Sequence, residues 1–193
     1  MTDEGLAGDP DGRRMAAPLA AGLALGRLIP PGPVLELCCG LGGLTRGLAR
    51  GHPVLALDRS PARLARARAN LAAASPCHPV RFLACDLSHP ALRPPAAPGF
   101  SAVVMDPDWS PAGASPRQWA ARLGDMRPPA DALLAWARAF SPRLVLRLPR
   151  DLPPPDWPPP APARAVPVLI NDALDFIFVF LGPWPGLPPE LRL

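Results

Sequence analysis

The alternation of short apolar segments with helix-forming segments is the feature that most constrains the fold of this chain. Five apolar runs of strand length occur at residues 34–37, 54–57, 80–84, 100–105 and 144–148. Helices are expected over residues 44–50, 61–73 and 132–140. Strands that alternate with helices pair in parallel, and the helices cover both faces of the sheet. The pattern therefore predicts a doubly wound, Rossmann-like α/β fold.

The two ends of the chain depart from this alternation. Apolar runs at residues 165–170 and 176–181 have no helix-forming segment between them, so they are predicted to form an antiparallel hairpin. With this C-terminal hairpin, the mostly parallel sheet has seven strands. One more helix is expected over residues 14–28, before the first strand, and Pro30-Pro31-Gly32-Pro33 ends it.

The length and local composition predict one domain. A chain of 193 residues suits a single domain with a substantial core. Residues 1–12 are acidic and glycine-rich, and we expect a disordered tail there. Residues 13–193 are expected to form the domain, with a proline-rich loop at residues 151–163. The most apolar late stretch, residues 166–184, contains Asp172 and Asp175, so no transmembrane span and no membrane partner are expected.

Charge and cysteine usage narrow the function classes. All 20 basic residues are arginine and the net charge is +4, which permits an anionic partner such as RNA; a solvated basic surface is the alternative. An export signal beginning at Arg13-Arg14 is disfavoured because no clear small-residue cleavage site follows. The four cysteines, Cys38, Cys39, Cys77 and Cys85, lack the paired spacing of zinc ligands, so no metal site is expected. We expect them to be free thiols of a protein in the reducing cytoplasm.

Acidic and glycine residues follow the first three predicted strands, at the edge where doubly wound sheets bind ligands. Residues 36–43 read ELCCGLGG, and glycines there let the backbone approach a ligand because no Cβ intrudes. Asp58 follows the second strand and can accept hydrogen bonds from ribose hydroxyls. Asp86 follows the third strand and can accept from an adenine amino group. Because Glu36 would attract a cationic methionine moiety, the combination predicts S-adenosylmethionine (SAM) as the cofactor.

Two other chemistries are disfavoured by the same residues. A nicotinamide dinucleotide would use a similar turn, but Cys38 takes the first glycine position of G-x-G-x-x-G and Glu36 lies inside the motif. Covalent methylation of a pyrimidine carbon needs a cysteine nucleophile. No cysteine follows Cys85, and Cys38 and Cys39 belong to the cofactor turn.

The fourth predicted strand ends in Asp106-Pro107-Asp108-Trp109, here named the DPDW segment. It resembles the Asp/Asn/Ser-Pro-Pro-aromatic motif of class I methyltransferases that modify exocyclic amines. The resemblance implies that Asp106 and the Pro107 carbonyl accept hydrogen bonds from an amino group and orient its lone pair toward the methyl group. It also implies that Trp109 stacks on a flat substrate.

Within that class, the chain most resembles the trimethylguanosine synthase-like, RNA cap guanine-N2 methyltransferases. Their D-x-F-C-G-x-G-G, D-x-x-P and A-x-x-N motifs correspond to residues 36–43, 58–61 and 67–70, and their G-D to residues 85–86. The likeness extends over residues 34–110. It implies SAM binding by eight residues: Glu36, Cys38, Gly40, Gly42, Asp58, Arg59, Asp86 and Asp106.

The chain departs from that family beside the reacting centre, and the departures bear on the substrate. Asp108 replaces the second proline, and Ser110-Pro111 replace a glycine pair. Asp108 is open to three interpretations: a hydrogen bond to substrate, a base, or a solvated side chain. We expect methylation of a nitrogen acceptor, an exocyclic amine of an RNA base. The alternatives are a small aromatic amine, a protein side chain, or a non-catalytic SAM-binding module.

Overall fold

The computed structural model describes residues 5–90, 92–93, 99–110, 119–152 and 163–193. The chain forms two compact units, of which the first holds the residues up to Arg93 with Phe100–Ala102, and the second holds Val103–Leu193. Within the described residues there are eight strands, one more than predicted. That residues 13–193 form one methyltransferase domain stays a prediction.

The first unit is a three-stranded parallel sheet with helices. Strand β2 pairs with β1 and with β3, so the order is β3-β2-β1. Because the pairing is parallel, the carboxyl ends of the three strands lie at one edge. The elements are α1 (Pro10–Met15), α2 (Leu19–Leu28), β1 (Val34–Leu37), α3 (Gly43–Leu48), β2 (Val54–Asp58), α4 (Pro61–Ala73) and β3 (Val80–Ala84).

The N-terminal residues differ from the expected tail and from the expected single helix. Residues 5–12 pack on the first unit: Leu6 is 4% exposed, and the Asn70 amide exchanges hydrogen bonds with the N–H and C=O of Ala7, at 2.8 and 3.0 Å. The expected helix over residues 14–28 is two helices, because Ala16 and Pro18 are extended and a proline disfavours helical backbone in the residue before it.

Small residues and one histidine fix α2 and α3 beside the first strand. Gly47 of α3 lies so close to α2 that a Cβ there would collide with the backbone nitrogen of Leu23. At the end of α2, Pro30 has no N–H to offer the Gly26 carbonyl, and the His52 ring nitrogen Nε2 lies 2.8 Å from that carbonyl oxygen. These contacts hold α3 directly after the turn that follows β1.

The second unit carries the hairpin that the sequence predicts. Strands β6 and β7 pair antiparallel, and their two-residue turn has positive φ at Asn171 and Asp172, 50° and 64°, as a tight hairpin turn requires. The elements are β4 (Ala102–Met105, from Val103 in this unit), a 3-10 turn (Leu123–Asp125), α5 (Ala130–Ala137), β5 (Leu144–Pro149), β6 (Ala163–Ile170), β7 (Ala173–Leu181) and β8 (Leu191–Arg192).

The second unit has the strand order β4-β5-β7-β6-β8. Strands β4 and β5 pair in parallel, and β7 is antiparallel to both of its neighbours. The additional strand, β8, has two residues and pairs with Val168 and Leu169, so it is too short to read from an apolar pattern. Helices alternate with mostly parallel strands, which confirms the Rossmann-like α/β prediction with one strand more than expected.

The described helices and metal-ligating side chains give two further findings. None of the helices combines the length and apolar character needed to cross a membrane. In the same residues, His, Cys, Asp and Glu side chains do not gather in groups of three that could hold a metal ion.

Candidate functional site

A tight turn follows β1 in the first unit and is here named the glycine turn, residues 38–43. Its backbone is left-handed at three positions, with φ of 64° at Cys38, 52° at Gly40 and 81° at Gly42. The N–H of Cys39 donates to the Leu57 carbonyl at 2.9 Å, which ties the turn to β2. A Cβ built on Gly40 would meet nothing within 4 Å, so the space above the turn is open at that residue.

Glu36 lies beneath the glycine turn, inside the unit. Its side chain is buried, at 1% exposure, and its Oε2 accepts a hydrogen bond from the Thr45 hydroxyl at 2.7 Å. Burial is the largest of the causes that raise the pKa of the Cys39 thiol well above its usual value, and the charges of Glu36 and Asp58 raise it further. Cys39 is therefore a protonated thiol at neutral pH, which argues against a role as a nucleophile.

Asp58 joins the end of β2 to the glycine turn. The carboxylate is 8% exposed; its Oδ2 accepts from the Gly40 N–H at 2.8 Å and its Oδ1 accepts from the Ser60 N–H at 2.9 Å. Each carboxylate oxygen has a second lone pair. Asp58 can therefore hold the turn in shape and accept a further hydrogen bond from a ligand hydroxyl.

The third acidic position, Asp86, lies at the end of β3. The Asp58 carbonyl accepts from the Cys85 N–H at 3.0 Å, so the ends of β2 and β3 are directly linked. Asp86 is exposed, and its pKa is lowered first by the Ser88 N–H and further by the charges of His89 and Arg59. Along one edge, the first unit brings together the glycine turn, Asp58 and Asp86.

In the second unit, β4 ends at Asp106 of the DPDW segment, and Asp106 is ion-paired with an arginine that the sequence analysis missed. Arg147 of β5 places its Nη1 at 2.9 and 3.2 Å from the two carboxylate oxygens. Both side chains are largely buried, with 16% of Asp106 and 7% of Arg147 exposed. Burial, the largest cause, raises the pKa of Asp106, and the charge of Arg147 opposes that rise.

Arg147 also organises the aromatic part of the segment. Its guanidinium carbon lies 4.4 Å from the ring centroid of Trp109 and 4.4 Å from that of Phe176, within cation–π range. The indole N–H of Trp109 donates to the Arg147 carbonyl at 3.2 Å. A signal was present in the sequence, because Arg147 is a charged residue inside the apolar run Leu144–Leu148.

Asp108 has a partner that none of the three interpretations included. Its carboxylate forms an ion pair with Arg127, and the two residues exchange backbone hydrogen bonds at 2.9 and 3.0 Å. The Arg127 Nε–H also donates to the Ser110 carbonyl at 2.9 Å. Asp108 is thus a structural link that fixes the chain after the segment, and its charge is compensated.

Trp109 is half-buried and its surroundings are aromatic. The Trp119 ring meets it edge-on, with centroids 5.7 Å apart, and the Trp109 carbonyl accepts from the Ala120 N–H at 2.6 Å. Pro107 is buried. Pro111 lies outside the described residues, as does most of the proline-rich loop, residues 153–162.

Comparison with known proteins places these motifs in a family context. Residues 34–115 match a family described as a methyltransferase domain. The release factor glutamine methyltransferase of Mycolicibacterium smegmatis is 38% identical over 84 residues, which are 42% of this chain and 28% of that protein. The chain therefore matches well under two thirds of that relative's length.

Solved structures with a similar fold accept different substrates. The O-methyltransferase TomG from Streptomyces achromogenes, involved in tomaymycin synthesis and solved with SAM, has a TM-score of 0.59 at 17% identity; the match covers 92% of this chain and 91% of that chain. An RNA methyltransferase from Salinibacter ruber, solved with S-adenosyl-L-homocysteine (SAH), has a TM-score of 0.53 at 17% identity, with 90% and 94% covered. These likenesses show the fold.

Proposed function

We propose that this chain, which carries a SAM-dependent methyltransferase domain, methylates a nitrogen acceptor, an exocyclic amine of an RNA base. The match of residues 34–115 to a methyltransferase domain supports the reaction class and SAM as the cofactor. The residue roles, the acceptor and the cytoplasmic location expected from the sequence are parts of the proposal.

The residues of the first unit fit the cofactor. Open space above Gly40 leaves room for a ligand at the glycine turn, and Asp58 retains acceptor capacity beside it. The buried carboxylate of Glu36 favours a cationic group such as the methionine ammonium. When bound, SAM supplies an electrophilic methyl group on a sulfonium. The cofactor is held by Glu36, Cys38, Gly40, Gly42, Asp58, Arg59, Asp86 and Asp106.

The DPDW segment supplies the residues that bind the methyl acceptor. Asp106 and the Pro107 carbonyl accept hydrogen bonds from the acceptor amine, which directs its lone pair, and Trp109 stacks on the base. The observation that carries this assignment is the pairing of both acids in the segment, Asp106 with Arg147 and Asp108 with Arg127. Compensated carboxylates suit a neutral base amine better than a cationic lysine side chain.

The non-catalytic alternative loses its main support in this arrangement. An uncompensated charge of Asp108 beside the reacting centre would be the best support for a module that binds SAM without catalysis. Because Asp108 is ion-paired with Arg127, it adds no uncompensated charge there.

The test is transfer of labelled methyl groups from SAM to total RNA, with a protein extract and a metabolite pool in parallel. We expect label in RNA, in a methylamino base after nuclease digestion. Label only in protein or metabolites would refute the RNA acceptor, and cofactor binding with no transfer to any pool would refute the enzyme.

A matched pair of tryptophan variants tests the stacking role. Trp109→Ala is expected to leave SAH affinity within about twofold of the unmodified protein and to reduce kcat/KM for RNA by about 5- to 150-fold, since stacking on one base is worth about 1–3 kcal/mol. Trp184→Ala is the control, because Trp184 also donates its indole N–H to a backbone carbonyl, that of Leu181, but lies outside the segment. Loss of SAH binding in Trp109→Ala would contradict the role.

A further inference from the structure

Arg147 contacts three residues from one buried position, and no motif of the sequence accounts for these contacts. Its guanidinium binds Asp106 and lies against the rings of Trp109 and Phe176, while its carbonyl accepts from the Trp109 indole N–H. Asp106 and Trp109, two of the three residues of the DPDW segment to which we assign acceptor contacts, therefore meet at a single residue of β5.

Fold stability alone gives little reason for such a residue. A buried ion pair loses the hydration of both charges, and replacing it with apolar residues of similar volume is often neutral or stabilising. The neighbours of Arg147 along the strand, Leu146 and Leu148, are fully buried apolar residues. An arginine at this position suits a task that needs its charge and its planar shape.

We propose that Arg147 is a positioning residue for methyl transfer, which holds Asp106 as a carboxylate and fixes the plane of the Trp109 indole. This inference rests on the proposed function. A carboxylate accepts hydrogen bonds from the acceptor amine with both oxygens, whereas a protonated Asp106 would donate one and compete for the amine lone pair. The indole plane sets the orientation in which a flat base can lie against it.

The charges around Asp106 give the direction of the pH effect. Burial and the neighbouring charge of Asp108 both raise the pKa of Asp106, and Arg147 lowers it. Among the described residues, the charged groups that act on Asp106 are Arg147 on β5 and Asp108 on its own segment, whereas β7 contributes the aromatic Phe176 near the Arg147 guanidinium. Without Arg147, Asp106 would take up a proton at higher pH, so the acidic limb of the pH profile of kcat/KM would move to higher pH.

The experiment compares pH profiles of kcat/KM for RNA in the unmodified protein, Arg147→Met and Arg147→Lys. We expect the acidic limb to move up by about one pH unit or more in Arg147→Met, the size of effect that a close opposite charge exerts. Arg147→Lys keeps the charge and should return the limb toward its original position. SAH affinity should stay within about twofold, and Arg143→Met, which removes a partly exposed arginine immediately before the same strand, should leave the profile unchanged.

A second readout does not depend on turnover. The carboxyl carbon of Asp106, followed by NMR in aspartate-labelled protein and assigned with Asp106→Asn, should titrate at higher pH in Arg147→Met than in the unmodified protein. An unchanged titration, or an unchanged acidic limb in a variant that binds SAH normally, would overturn the inference. If no substrate pool is methylated by the unmodified protein, the proposed function fails, while the NMR titration still decides whether Arg147 keeps Asp106 ionised.

Discussion

Replacing Asp58 with alanine tests the cofactor half of the site through two separate quantities. The substitution removes two hydrogen bonds to one buried carboxylate, from the N–H groups of Gly40 and Ser60. Each such bond to a charged group contributes about 1.5–3 kcal/mol. Because both bonds share one carboxylate, their losses are not additive, and we expect the free energy of unfolding to fall by about 2–4 kcal/mol.

The second quantity is affinity for the cofactor. If Asp58 also accepts from the ribose hydroxyls, Asp58→Ala should weaken SAH binding by about 1–3 kcal/mol, which is roughly 5- to 150-fold in Kd. Isothermal titration calorimetry with SAH and urea unfolding measure the two effects on one preparation. Asp11→Ala is the control, because Asp11 is an exposed acid of the same unit that pairs with Arg14.

The two effects separate a binding residue from a structural one. Asp58→Asn keeps one acceptor oxygen and should fall between alanine and the unmodified protein in both measurements. Reduced stability with SAH affinity within about twofold of the unmodified protein would refute the cofactor role and leave Asp58 as a clamp of the glycine turn.

Two further predictions concern buried groups of the first unit. The ring nitrogens of His52 lie 2.8 and 3.1 Å from the backbone carbonyl oxygens of Gly26 and Gly32. His52→Phe should therefore lower the free energy of unfolding, measured by urea unfolding, by about 2–4 kcal/mol. A loss under about 0.5 kcal/mol would contradict this prediction. Burial raises the pKa of Cys39, so iodoacetamide at pH 8 should label the exposed Cys77 and leave Cys39 unlabelled. Mass spectrometry measures the labelling, and equal labelling of the two cysteines would contradict the burial of Cys39.

The cofactor half could be predicted from the sequence because its pattern is local. Each buried strand of the first unit is an apolar run, and the residues after it must leave the sheet, so Asp58 and the glycine turn are visible as strand ends. The backbone conformation agrees with the glycines at positions 40 and 42, where φ is positive. Cys38 adopts positive φ as well, which no residue preference indicates.

The partners in the acceptor half could not be predicted, because they are distant in sequence. Arg147 binds Asp106 across 41 residues and Trp109 across 38, and Arg127 binds Asp108 across 19. An arginine in an apolar run signals only that some partner exists. Which acid it meets depends on β5 pairing with β4, a tertiary contact that no local pattern encodes.

The same reason explains the N-terminal difference. Residues 1–12 have the acidic, glycine-rich composition of a tail, yet Asn70 holds the backbone of Ala7 from 63 residues away. The Asn70 amide hydrogen-bonds both the N–H and the C=O of Ala7, and in a disordered tail water would have to make these hydrogen bonds. Composition therefore indicated the wrong state for residues 5–12.

The central claim is that the strand ends of the first unit hold SAM while the DPDW segment receives the acceptor. A crystal structure of the protein with SAH tests it most directly. We predict that the ribose hydroxyls donate to Asp58 and that the methionine ammonium lies toward Glu36. SAH bound away from the glycine turn, or a ribose without contact to Asp58, would contradict the account.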